Sequence, residues 1–194
     1  MIPRSIAIRF AHWASAVVLM FVLALAFTHE LPESGETSRL LLGWHQRLGL
    51  FIGVLLVLRL LARALERDGT QSAELPVGLR MSATLSHALL YLLLAALPLI
   101  GWTMVSARGR DVSLVPGGRA LPHLVATDTD FADTLQTWHE RGAWVLICVI
   151  ALHALAALWH HHVRGDDVLT RMWPSLSRRK SIDNSSAITT EDAP

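Results

Sequence analysis

Residues 137–163 read TWHERGAWVLICVIALHALAALWHHHV. From Gly142 to Trp159 the run contains no Asp, Glu, Lys or Arg, and it is long enough to cross a hydrocarbon core about 30 Å thick, which takes roughly 20 helical residues. It is too long for a strand and lacks the alternation of one. His139 and His153 are fourteen residues apart, nearly four turns at about 3.6 residues per turn, so both face the same way. At about 1.5 Å rise per residue they stand roughly 21 Å apart along the axis. One membrane helix thus offers an imidazole in each leaflet on a single face.

Three further apolar runs accompany it, at Ile6 to Thr28, Leu40 to Leu65 and Leu79 to Val105. The whole chain of 194 residues is 52% hydrophobic and only 17% charged, with a mean hydropathy of +0.41. Soluble domains are nearer a quarter charged. The expected fold is therefore all-α, a transmembrane four-helix bundle in the lipid bilayer of the bacterial inner membrane. Pro98 inside the third run is tolerable in a membrane helix and predicts a kink there. The first run has Arg4 and Arg9 before it and Ala24-Leu25-Ala26 within it, features shared with a signal peptide. His12, Trp13 and Ser15 in its apolar region favour a retained span instead.

Ten Lys and Arg residues fall on the side holding the N-terminus, the link after span two and the tail. Six arginines, offset by eight acids, fall on the other. By the positive-inside rule both termini are expected to be cytoplasmic. The long connection from Ser106 to Gln136 carries Asp128, Asp130 and Asp133 and reads as a periplasmic lid or docking surface. Residues 1–174 form the predicted membrane domain, and 175–194 a polar, disordered tail.

Several function classes fall away at once. A net charge of +1 makes no electrostatic case for nucleic acid. The single cysteine, Cys148, excludes an intrachain disulfide and any cysteine-based zinc or iron–sulfur site, and it is read as a small buried apolar residue. No span holds a buried Asp or Glu, so a bundle di-iron site is not expected. His160, His161 and His162 are consecutive, point about 100° apart on a helix and cannot converge on one ion.

Ionisable residues inside a membrane are costly, and each is a functional hypothesis. His45 lies at the depth of His139, while His12 and His87 lie at the depth of His153. Facing imidazoles across a bundle core can ligate b-type haem without a covalent link, and the spacing leaves open which of His12 and His87 is the inner partner. Arg59 and Arg63 at the inner end of span two are candidates to pair with haem propionates, and Arg47 and Arg141 are the outer counterparts. His160 reads as a quinone or propionate contact or as an interfacial anchor. His29 and His123 read as loop residues. Trp13, Trp44, Trp138, Trp159 and Trp173 near the span ends read as the interfacial aromatic belt. A haem-free bundle using its histidines for protons is the contrasting class.

In order and spacing, the chain resembles the bacterial cytochrome b561 family. The resemblance runs from about Arg4 to Pro174. It rests on Ala11-His12-Trp13, Trp44-His45, Leu58-Arg59-Leu60-Leu61-Ala62-Arg63, Ser86-His87-Ala88-Leu89-Leu90-Tyr91, Ala96-Leu97-Pro98-Leu99-Ile100-Gly101, Thr137-Trp138-His139-Glu140, Leu152-His153-Ala154 and His160-His161. It implies two haem b groups, His12 with His153 holding the cytoplasmic-side one and His45 with His139 the outer one. His87 is then either a neighbour of a ligand or near the quinone, rather than axial, and Ser15, His87, His160 and His161 are the candidates to line a quinone site. It also implies electron transfer from an outer one-electron donor, superoxide or a periplasmic donor protein, to ubiquinone. The alternative it leaves is a membrane-anchor and electron-relay subunit serving a periplasmic redox partner. A face with six arginines against eight acids is mildly unfavourable for steering an anion such as superoxide.

Overall fold

The computed structural model describes residues 6–28, 35–65, 77–165, 169 and 172. Four helices account for nearly all of them: α1 (Ile6–Thr28), α2 (Glu36–Leu65), α3 (Val77–Ala107) and α4 (Thr129–His162). Each is long and apolar enough to cross a membrane, and no strand occurs among the described residues. The expected tail, together with His29 and Trp173, lies outside the described residues.

Successive helices pack on one another, α1 on α2, α2 on α3 and α3 on α4. The pattern does not close into a ring. Among the described residues, the Cα atoms of α4 stay more than 8 Å from those of α1 and of α2. A buried cluster of Val22, Ile52, Leu56, Leu94, Leu97 and Leu146 draws one or two side chains from every helix and fills the middle of the bundle. Large apolar side chains such as Phe10, Phe21, Leu85 and Leu152 lie on the outside, as they must where the solvent is lipid rather than water. Cys148 belongs to this outer surface, not to the core. The inward face of α4 runs through Leu146 and Val149, and Cys148 lies between them in sequence but turned outward.

The α3–α4 contact is close because glycine permits it. A Cβ on Gly142 would stand 2.8 Å from Leu97 Cδ2, so the side chain of α3 occupies the space that any other residue of α4 would need. α3 continues as one helix through Pro98.

Both ends of the α3–α4 connection are built by specific bonds, and it is shorter than the sequence suggested. α4 begins eight residues before Thr137, at Thr129, because Asp128 is an N-cap whose side chain accepts from the Phe131 N–H at 2.9 Å. At the other end Gly109 takes a φ of +64°. The Arg110 N–H reaches back to the Val105 carbonyl at 3.1 Å and the Gly109 N–H to Ser106 at 2.9 Å, the paired bonds of a glycine-terminated helix. Ser106, 1% exposed, donates to the Trp102 carbonyl and accepts from the Leu124 N–H, and the Asp128 N–H bonds the Ala107 carbonyl at 2.8 Å. The loop is thereby stitched onto the ends of both helices.

Substituting Gly109 by Val forces a β-branched side chain into the left-handed region and against Thr127, whose Oγ1 lies 3.1 Å from the position of a Cβ. The expected cost is about 1–2 kcal/mol, read as a lowered thermal midpoint in detergent, whereas Gly49→Ala, inside α2 with open space around it, costs less.

Candidate functional site

Four histidines on three helices meet in the space that α4 leaves open. At the end of the bundle that carries the α3–α4 loop, the rings of His45 (α2) and His139 (α4) have centroids 6.2 Å apart and planes at 77°. At the opposite, terminal end, where α1 begins and α4 ends, His12 (α1) and His153 (α4) stand 6.5 Å apart at 66°. All four are half-buried. The fourteen-residue spacing on α4 thus does what helical geometry predicted, turning both of its imidazoles toward the same opening.

These separations carry chemical meaning. A metal held between two imidazole nitrogens at about 2 Å from each, with roughly 1.1 Å more from nitrogen to ring centre, sets the centroids about 6.3 Å apart. Both pairs match this spacing. With the backbone of α4 held off those of α1 and α2, the residues present fit haem. His87 also faces His153, at 5.2 Å and 80°, about 1 Å short of what an intervening iron requires. Its Nδ1–H donates to the Ala83 carbonyl one turn back at 2.6 Å. The two candidates that sequence spacing left open at this level thus stand at different distances from His153.

Backbone groups orient the rings. His45 Nδ1–H donates to the Val22 carbonyl on α1 at 3.0 Å. A carbonyl can only accept, so the proton of the neutral ring sits on Nδ1 and the lone pair on Nε2. Metal-ligating histidines are commonly held this way. His139 packs against Gly101 of α3, where a Cβ would stand 3.4 Å from its Cε1. Sequence reasoning did not identify the Val22 carbonyl, because a backbone acceptor leaves no mark in residue type. Gly101 stood within a family motif, but its packing role needed the register of α3 on α4.

Around the terminal-end pair, Trp13 packs edge-on to His12 at 5.7 Å and donates its indole N–H to the Met172 carbonyl at 2.7 Å. Trp13 therefore acts as a tie between α1 and the segment after α4. Arg59 is half-buried, lies over the Tyr91 ring at 5.4 Å and is within electrostatic reach of His153; Arg63 is exposed. Ser15 is buried and donates to the Ala11 carbonyl at 2.7 Å. His160 stacks edge-on with Trp159 at 5.3 Å, and His161 with His162 at 4.8 Å. Among the described residues no three metal-ligating side chains converge on a point.

Two loop-end expectations change. Arg47 turns away from the His45–His139 pair, with its guanidinium over Trp44 at 5.7 Å, because residues two apart on a helix point to nearly opposite sides. The acids of the loop have local partners: Asp128 caps α4, Asp133 pairs with Arg108 at 3.2 Å, and Asp111 meets His123 at 3.0 Å. Arg108 also bonds Gln136.

A family model described as prokaryotic cytochrome b561 matches residues 4–175. Cytochrome b561 homolog 1 of Escherichia coli (strain K12) is 30% identical over 175 residues, covering 88% of this chain and 95% of the relative. Cytochrome b561 homolog 2 of the same organism is 29% identical over 175 residues, covering 83% and 86%. A probable superoxide oxidase, CybB, of Yersinia pestis is 44% identical over 92 residues, covering 47% of this chain and 51% of the relative.

Because Gly101 is the wall behind His139, Gly101→Val should push that ring off its partner while leaving the other pair intact. The expected readout is a changed haem spectrum of the purified protein; an unchanged spectrum would show that the ring does not depend on this contact.

Proposed function

The chain belongs to the prokaryotic cytochrome b561 family, and from that premise we propose that it is a di-haem b cytochrome of the bacterial inner membrane, carrying electrons from a one-electron donor on the periplasmic side to ubiquinone. The observation that carries the reading is the pair of imidazole separations, 6.2 and 6.5 Å, each suited to one iron and placed at opposite depths. The loop end is taken as periplasmic and the terminal end as cytoplasmic, on the distribution of Lys and Arg.

Haem b bound at each level supplies a one-electron couple, the redox chemistry that side chains of this kind lack. His12 and His153 hold the cytoplasmic-side group, and His45 and His139 the periplasmic one. The Val22 carbonyl keeps the proton of His45 on Nδ1, so the other nitrogen faces the metal position. Arg59, half-buried and within electrostatic reach of His153, would offset the charge of a propionate in a medium where an unpaired anion is costly; Arg63, exposed, would serve that role less directly. The cluster of Val22, Ile52, Leu56, Leu94, Leu97 and Leu146 keeps water out of the space between the two levels.

Ubiquinone is assigned to the terminal end, where Ser15, His87, His160 and His161 supply hydroxyl and imidazole groups near the inner pair. His87 at 5.2 Å from His153 is a neighbour of the ligand rather than a ligand. Superoxide is the favoured donor, on the strength of the likeness to a probable superoxide oxidase. The contrasting reading, a relay subunit docking a basic periplasmic partner through its acidic loop, is weakened because Asp111, Asp128 and Asp133 already have partners within the loop and the adjoining helix ends.

Oxidised and dithionite-reduced spectra of the detergent-purified protein, with haem counted by pyridine haemochrome, should show two low-spin b haems per chain. One haem would break the two-level arrangement, and a colourless protein would return the histidines to proton chemistry. His45→Ala or His139→Ala should remove the periplasmic-side haem alone, and His12→Ala or His153→Ala the other. His87→Ala should keep both haems while slowing ubiquinone reduction; loss of a haem in that variant would overturn the pairing.

A further inference from the structure

On the outward side of α2, a cleft of about 320 Å³ opens between Trp44, Arg47, Phe51 and Val54 of the helix and Leu114 and Val115 of the α3–α4 loop. Its walls are apolar except for Arg47. At about 100° per residue, Arg47 lies roughly 160° around α2 from His45, so the cleft looks away from the histidine pairs. The exposed stripe of α2 continues below it through Leu58 and Leu61, the surface that meets lipid.

The loop is shaped to form its share. Val115, Pro116, Gly117 and Gly118 make a tight turn, closed by the Gly118 N–H on the Val115 carbonyl at 3.0 Å, with Gly117 at a φ of +69° as such a turn requires. The helix is shaped likewise. A Cβ on Gly43 would stand 2.9 Å from Arg47 Nη1, so the missing side chain is what lets the guanidinium fold back over Trp44. Arg47 Nε is buried without a hydrogen-bond partner, and no carboxylate pairs with this guanidinium among the described residues.

A guanidinium stays charged in any protein environment, and a charge at membrane depth is costly unless an anion meets it. Phosphate is the anion whose oxygens match a guanidinium two at a time. An apolar trough leading from that charge down a lipid-facing stripe selects a phosphate with acyl chains attached over a free one. We infer that this cleft holds one phospholipid, its phosphate at Arg47 and an acyl chain along Phe51 and Val54, bracing the α3–α4 loop against α2. The inference rests on the membrane placement of the helices and not on the electron donor or acceptor.

The test is native mass spectrometry of the full-length, haem-loaded protein, delipidated in detergent and titrated with phosphatidylglycerol. One lipid should be retained above background by the unsubstituted chain, at least tenfold more weakly by Arg47→Gln, and to an intermediate degree by Arg47→Lys. Val54→Trp, which fills the trough and keeps the charge, should weaken retention as well and decides the matter should Arg47→Gln fail to fold. Equal retention by the unsubstituted chain, Arg47→Gln and Val54→Trp overturns the site. Displacement of the lipid by millimolar inorganic phosphate overturns it in favour of a small-anion site. Loss of one haem from Arg47→Gln with lipid retention unchanged assigns Arg47 to the cofactor instead.

Discussion

The bundle is organised by a contact that its backbone does not make. The backbone of α4 comes close only to that of α3, through the notch at Gly142 and the wall at Gly101; among the described residues its Cα atoms stay beyond 8 Å from those of α1 and α2. Lipid offers no hydrophobic force to close such an opening, since tails are as apolar as the side chains facing them. What spans it are side chains: two pairs of imidazoles, the cluster between them and the edge-on contact of Phe27 with Trp144. Each half-buried imidazole is costly in this setting unless its nitrogens have partners, so the opening and the histidines explain one another. In the proposed reading haem fills the slot and completes the bundle.

The middle of the molecule follows from the same constraint. The side chains of Val22, Ile52, Leu56, Leu94, Leu97 and Leu146 converge from all four helices between the two histidine levels, where a water-filled gap would otherwise join them. Val22 serves twice, its side chain in this cluster and its carbonyl on His45, so the packing of α1 on α2 also sets the tautomer of a ring that faces α4. At the terminal end the Trp13 bond to the Met172 carbonyl ties the first helix to the segment that follows the last.

The loop end shows how local chemistry redistributes what composition suggests. Read as a string, Asp128, Asp130 and Asp133 form an acidic surface. Folded, Asp128 ends the connection by capping α4, Asp133 holds Arg108, and Asp111 holds His123. The helix therefore begins outside the apolar run, and the connection becomes a fastened lid whose turn at Pro116 and Gly117 presents Leu114 and Val115 to α2.

The four spans were legible in the sequence because a hydrocarbon core demands about 20 apolar residues per crossing, a requirement met by composition before any packing is known. The register of His139 and His153 was legible too, since fourteen residues close on nearly four turns whatever surrounds the helix. The choice between His12 and His87 was not. Both sit at the same depth, and only the placement of α1 and α3 around α4 separates 6.5 Å from 5.2 Å. Nor could the sequence show that Arg108 would pair with Asp133, that Cys148 would face outward, or that Gly43 would seat Arg47. Hydrophobic run length and helical period are properties of a segment, whereas ring separation, carbonyl partners and clefts arise between segments distant in the chain, and tertiary packing alone sets those distances.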